Sequence, residues 1–205
     1  MHLVPFLAVA AIVVLTPGVD MALVTKHALL QGRVAAQAAA VGVNVGIFFW
    51  TIAAAVGLAA AIAASATAFT VIKLAGAVYL VCLGVRALLA SRHAASTVSA
   101  VRRPVSTGAA FRQGVASNLL NPKIAVFFTS LLPQFVDKGH ANVRDLMLLG
   151  ALFNAMGVIW LLTYAVIAAR GRDLLQQPRV KRAFDRLSGI ALIALGARVA
   201  LERRS

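Results

Sequence analysis

Cysteine is nearly absent from this chain: among 205 residues there is one, Cys82. No internal disulfide can form, and a dithiol electron carrier is excluded. Acids are almost as scarce, with 6 Asp and Glu against 20 Lys and Arg and a formal net charge of +14. The four histidines, His2, His27, His93 and His140, lie near termini or in expected loops and show no zinc-ligand spacing. Neither a phosphate-binding G-x-x-x-x-G-K-[ST] loop nor a G-x-S-x-G turn occurs. The chain therefore reads as a non-enzyme, with no metal and no cofactor expected.

Apolar residues are what the chain has in excess. They make up 61% of it, and charged residues only 13%, against roughly 45–50% and about 25% in soluble domains. A water-soluble globule and a disordered chain are both excluded. Six apolar runs stand out, at about 3–24, 36–63, 69–90, 112–135, 145–169 and 186–201, each long enough to span a bilayer. None alternates with period two, which excludes a lipid-facing β-barrel. The fold class is all-α: a polytopic membrane protein of six transmembrane helices. No Lys or Arg precedes the first run and no small-x-small site follows it, so it reads as a retained span.

The cations cluster in short segments between apolar runs, as cytoplasmic loops require, so nucleic acid is not the expected partner. With the N-terminus outside, the inner loops carry thirteen Lys and Arg and the outer side five. Both termini are therefore expected outside. Residues 91–110, rich in Ser, Thr, Ala and Arg, read as a cytoplasmic linker between a first three-helix unit (1–90) and a second (111–205). The two units look alike. Residues 73–86 read KLAGAVYLVCLGVR and residues 186–198 read RLSGIALIALGAR. Thr16-Pro17 breaks the first span as Asn121-Pro122 breaks the fourth, and Asn44 and Asn154 occupy matched places in the second and fifth. Three spans per unit force the second to enter the membrane from the opposite side. The result is a 3+3 inverted repeat with broken first and fourth helices, an arrangement that recurs in secondary transporters.

Candidate site residues follow from the breaks. Pro17 and Pro122 each remove a backbone hydrogen bond, and Gly18 loosens the first break. Asp20 is the only acid in the interior of an expected span, Asp145 standing at the very start of the fifth; there a charge costs roughly 2.5–3.5 kcal/mol unless it meets a cavity or a partner. It reads as a proton or cation site, as a clamp for a substrate ammonium, or as a cap on the resumed half-helix. Lys123 lies near mid-depth, where it could pair with Asp20, hold a substrate carboxylate, or snorkel to an interface. Together the two charges could bind a zwitterion. Thr16 and Asn121 flank the breaks; Asn44 and Asn154 are candidate substrate contacts. Gly42 and Gly46 form a small-xxx-small pair for close helix packing, and Gly-rich helix faces permit a homodimer.

These residues resemble a family. Leu15-Thr16-Pro17-Gly18-Val19-Asp20-Met21 is similar to the T-P-G-P-[ND]-M signature of the LysE/RhtB amino-acid exporters. Phe111-Arg112-Gln113-Gly114, the run Asn118-Leu119-Leu120-Asn121-Pro122-Lys123, and Leu132-Pro133-Gln134-Phe135 resemble that family's fourth span. Lys73-Leu74-Ala75-Gly76 with Leu83-Gly84, and Arg186-Leu187-Ser188-Gly189, resemble its third and sixth. Val19 departs from the family's second proline, and Asn44 stands where the family is commonly apolar. The resemblance implies a six-span inner-membrane exporter of amino acids or their analogues, driven by an ion gradient. It places the family's roles at Pro17, Gly18, Asp20, Asn121, Pro122 and Lys123. The expected partners are a small amino-acid-like substrate, a coupling proton or other cation, and the lipid bilayer. A passive channel for small polar solutes, and a non-transporting membrane scaffold or sensor, are the alternative readings.

Overall fold

A computed structural model describes residues 2–58, 105–136 and 143–171 continuously, together with isolated residues and pairs within 71–89 and 182–200. The described elements are helices: α1 (Leu3–Leu15), α2 (Val19–Leu30), α3 (Arg33–Ala53), α4 (Thr107–Leu119), α5 (Pro122–Phe135) and α6 (Val143–Arg170). No strand occurs among the described residues.

The breaks have local causes. Proline cannot continue the hydrogen-bond ladder, so α1 stops at Thr16, and the chain restarts as α2 after an extended Gly18, bent by 44°. In the same way α4 stops before Pro122, and α5 leaves at 46°. Pro122 sits in the first turn of α5, where its missing N–H is no loss, and the Asn121 side chain caps that turn through Lys123 N at 3.0 Å. Beyond Val126 the helix loosens into a π turn (Phe127–Leu131) and then tightens into a 3₁₀ turn (Leu132–Phe135). Ser106 caps α4 by accepting from Ala109 N at 3.2 Å, so the helix begins at Thr107, inside the stretch expected to be linker. Gly32, with φ of +88°, makes the left-handed turn from α2 into α3.

Packing centres on α3. A Cβ on Gly42 would run into the Phe111 carbonyl, and one on Gly114 into the Ala39 carbonyl, so α3 and α4 touch backbone to backbone. The other flank of α3 meets α6: Gly150 lies against Thr51, and Gly157 against the Asn44 side chain. Large apolar side chains such as Val4, Val34, Phe49 and Ile159 are exposed, as a lipid-facing surface requires. The helix continuing α3 (Arg33–Gly57) and α6 are each long and apolar enough to cross a membrane, and each bent pair, α1–α2 and α4–α5, passes the same test taken together. The expected third and sixth spans fall largely outside the described residues. Where described, they are helical, and Gly196 lies so close to Ala77 that a Cβ there would sit 2.8 Å from the Ala77 carbonyl oxygen.

Candidate functional site

Both breaks meet at a small cavity of about 30 Å³, room for about two waters and too little for an amino acid. Thr16, Gly18 and Asp20 line it from the first break, and Lys123 and Ile124 from the second. Its other walls are apolar and come from Val13, Val14 and Met21, from Val43 and Ile47 on α3, and from Phe153, Gly157 and Leu161 on α6.

The two buried charges are held in a crossed pattern. Asp20 is in the first turn of α2, at the positive end of that helix's dipole. Its carboxylate reaches across to the other break: Oδ1 accepts from Ser117 Oγ at 2.7 Å, and Oδ2 from Asn118 Nδ2 at 2.9 Å and Asn121 Nδ2 at 2.8 Å. The capping role open to Asp20 on sequence grounds is not realised, because no side chain caps α2. Lys123 crosses in the opposite direction. Its Nζ donates to Val13 O at 3.1 Å and Thr16 O at 2.9 Å, at the negative end of the α1 dipole. Val13 is four residues before Pro17, so its carbonyl is the one that proline leaves without an N–H. The side chain does not reach for the protein surface: Lys123 is 9% exposed and its ammonium is satisfied inside the protein. Nor do Asp20 and Lys123 hydrogen-bond each other; each is held by groups of the opposite break.

The second proline leaves no such vacancy. Asn118 is four residues before Pro122, and its carbonyl accepts from Asn121 N at 2.9 Å and from Trp50 Nε1 at 3.3 Å. Asn121 does two jobs, its oxygen capping α5 and its amide nitrogen gripping Asp20. Gly18 has an ordinary extended backbone, with φ of −162°. Its missing side chain matters for space, since a Cβ would lie 3.3 Å from Lys123 Nζ.

The cavity thus brings together Thr16, Gly18, Asp20 and Lys123, with Pro17, Pro122 and Asn121 shaping it. Asn44 and Asn154 are not on its lining. Asn44 donates to Ala40 O at 2.8 Å and faces Gly157, and the buried Oδ1 atoms of both asparagines lack a hydrogen-bond partner among the described residues. Sequence reasoning missed Ser117 and Trp50 as site supports, and it missed His27. That histidine is fully buried, with Nδ1 2.8 Å from Gln31 Oε1 and Nε2 3.2 Å from Gln113 Oε1 on α4. Among the described residues no three His, Cys, Asp or Glu side chains come together to hold a metal.

The family model for LysE type translocators matches residues 11–203. The chain belongs to the LysE type translocator family. Relatives of the chain include the uncharacterised membrane protein YrhP of Bacillus subtilis, 32% identical over 98% of this chain and 100% of the relative. The homoserine/homoserine lactone efflux protein of Salmonella typhi is 26% identical over 98% of this chain and 96% of its own. The threonine efflux protein of Escherichia coli K12 is 28% identical over 89% of this chain and 87% of its own. No solved structure matches. As a LysE type translocator the chain is a multi-pass membrane protein whose named relatives are amino-acid efflux proteins.

Proposed function

We propose that this translocator is a secondary-active exporter of a small amino acid or amino-acid derivative across the inner membrane, driven by an ion gradient. The carrying observation is the convergence of two proline breaks on one small cavity that, among the described residues, presents a single carboxylate and a single ammonium. A zwitterion supplies the complementary charges. The printed names of the relatives, threonine efflux and homoserine/homoserine lactone efflux, support a substrate of that size.

The architecture we infer is a 3+3 inverted repeat, residues 1–90 and 111–205, joined by a cytoplasmic linker over 91–110, with both termini outside. The matching bends of α1–α2 and α4–α5 support it. In this orientation the Gln31 end of α2 faces the cytoplasm and the Phe135 end of α5 faces outward. Substrate enters from the Gln31 end, its charged ends meet Asp20, Lys123 or adjoining backbone, and one repeat rocks against the other to open outward. Protonation of Asp20 couples the step to the gradient. The small volume of the cavity favours this carrier cycle over a passive channel.

Vesicles loaded with threonine or homoserine and subjected to a pH or sodium gradient test the reading. Gradient-dependent efflux is expected, with Asp20→Asn losing both rate and gradient dependence. An Asp20→Asn protein that exports with both unchanged would remove Asp20 from the coupling, and efflux indifferent to any gradient would favour a channel.

A further inference from the structure

The broken end of α1 is built to hold a cation. Pro17 strips the Val13 carbonyl of its N–H, and the Thr16 carbonyl lies in the last turn, where helical carbonyls lack partners. Two carbonyl oxygens at the negative end of a helix dipole make a good acceptor set for a primary ammonium. In this conformation that ammonium belongs to the protein: Lys123 Nζ, 3.1 and 2.9 Å from the two oxygens. It arrives as a buried side chain threaded past Gly18, whose missing Cβ leaves the slot open. The backbone there does not demand glycine; an added Cβ would press on the lysine tip at 3.3 Å.

We propose that these carbonyls are the ammonium subsite for the transported amino acid, and that Lys123 is a tethered placeholder that fills it between loads. The inference rests on the export function above. The α-ammonium of an amino acid is the same chemical group as the lysine tip, a primary ammonium with three N–H donors. It can replace that tip on Val13 O and Thr16 O bond for bond. The cavity of about 30 Å³ beside the cage is too small for substrate, and withdrawal of the lysine stem enlarges it in the same motion that empties the cage. The displaced ammonium is then free for the carboxylate of the same substrate. A zwitterion adds no net charge, so the exchange leaves the buried charge balance of Asp20 and Lys123 unaltered, and a buried uncompensated charge is what such a site must avoid. The remaining walls are apolar, with Met21, Ile47, Phe153 and Leu161 among them. The subsite therefore takes amino acids with small uncharged side chains and rejects those with a second cation.

Chemical replacement of the placeholder tests this without any transport. Lys123→Ala empties the cage. Ethylammonium chloride is expected to raise the melting temperature of that variant in a concentration-dependent way, while leaving wild type unmoved. Tetramethylammonium, which has no N–H, and ethanol, which has no charge, are expected to do nothing. Equal effects of all three probes, or none from ethylammonium, would overturn the proposal. If Lys123→Ala is recovered unfolded, Lys123→Thr carries the same comparison, since its short side chain fills the base of the slot and leaves both carbonyls open. Failure to recover either variant folded in ethylammonium also counts against it. The two readings fail separately. Ethylammonium rescue without amino-acid efflux sinks the export function and keeps the cage; efflux without rescue does the reverse.

Discussion

At the Gln31 end of the cavity, α2 is tied to its neighbours by polar side chains; at the Phe135 end, α1, α5 and α6 meet through rings. His27 joins Gln31 and Gln113, and Thr25 Oγ1 lies 2.7 Å from Tyr164 OH, with Trp160 behind that tyrosine at 5.9 Å. Opposite them, Phe127 stacks on Phe153 at 4.3 Å, Phe6 meets Phe135 edge-on at 5.5 Å, and His2 N donates to Phe135 O at 2.8 Å. The difference is one of replaceability. A hydrogen bond between spans averages about 0.6 kcal/mol, and water entering from an open end can take over its donors and acceptors. A buried ring has no such substitute, and the void it leaves costs contacts outright. The polar end is thus the one that can open and reclose easily, while the ring cluster holds its end until larger motion separates it.

The largest effect comes from wedging the polar end apart. Gly114→Leu is expected to abolish the folded protein, because its side chain meets the Ala39 backbone; recovery of monodisperse protein after detergent extraction reads it. Next is Phe127→Ala. Truncating a fully buried ring should destabilise by about 3–5 kcal/mol, seen as a lowered melting temperature. His27→Ala removes two hydrogen-bond contacts and a smaller buried ring, and should lower stability by about 2–3 kcal/mol. It should also speed labelling of a Val43→Cys probe, in a Cys82→Ser background, by an impermeant maleimide added from the Gln31 side. If Phe127→Ala speeds that labelling more than His27→Ala does, the two ends have been assigned the wrong way round. The smallest effect belongs to Tyr164→Phe, which loses one hydrogen bond and should shift stability by about 0.5–1.5 kcal/mol.

What could be read from the sequence was the punctuation. Proline states its own consequence, so the breaks at Pro17 and Pro122 were legible, as were the close-packing glycines Gly42 and Gly46 and the need of Asp20 for partners. Which partners was not legible. Ser117, Asn118 and Asn121 stand about a hundred residues away, and only the folded arrangement of α2 against α4 selects them over the local cap that Asp20 also permits. His27 read as a loop residue because it lies beyond the first apolar run, which ends near residue 24; its burial comes from α4, which periodicity in α2 cannot announce. Asn44 and Asn154 match in sequence, yet they lie behind the cavity wall, because one helical position separates the lining residues Val43 and Phe153 from them.

The carbonyls four residues before the two prolines are answered unequally. Val13 is met by a lysine on a flexible four-carbon stem, and Asn118 by the Asn121 backbone N–H together with an indole of two torsions. Two kinks written almost alike are therefore a swivel and a bolt. Any rocking of the molecule should start where the flexible arm lets go, and the tryptophan-pinned kink should ride along as a rigid elbow.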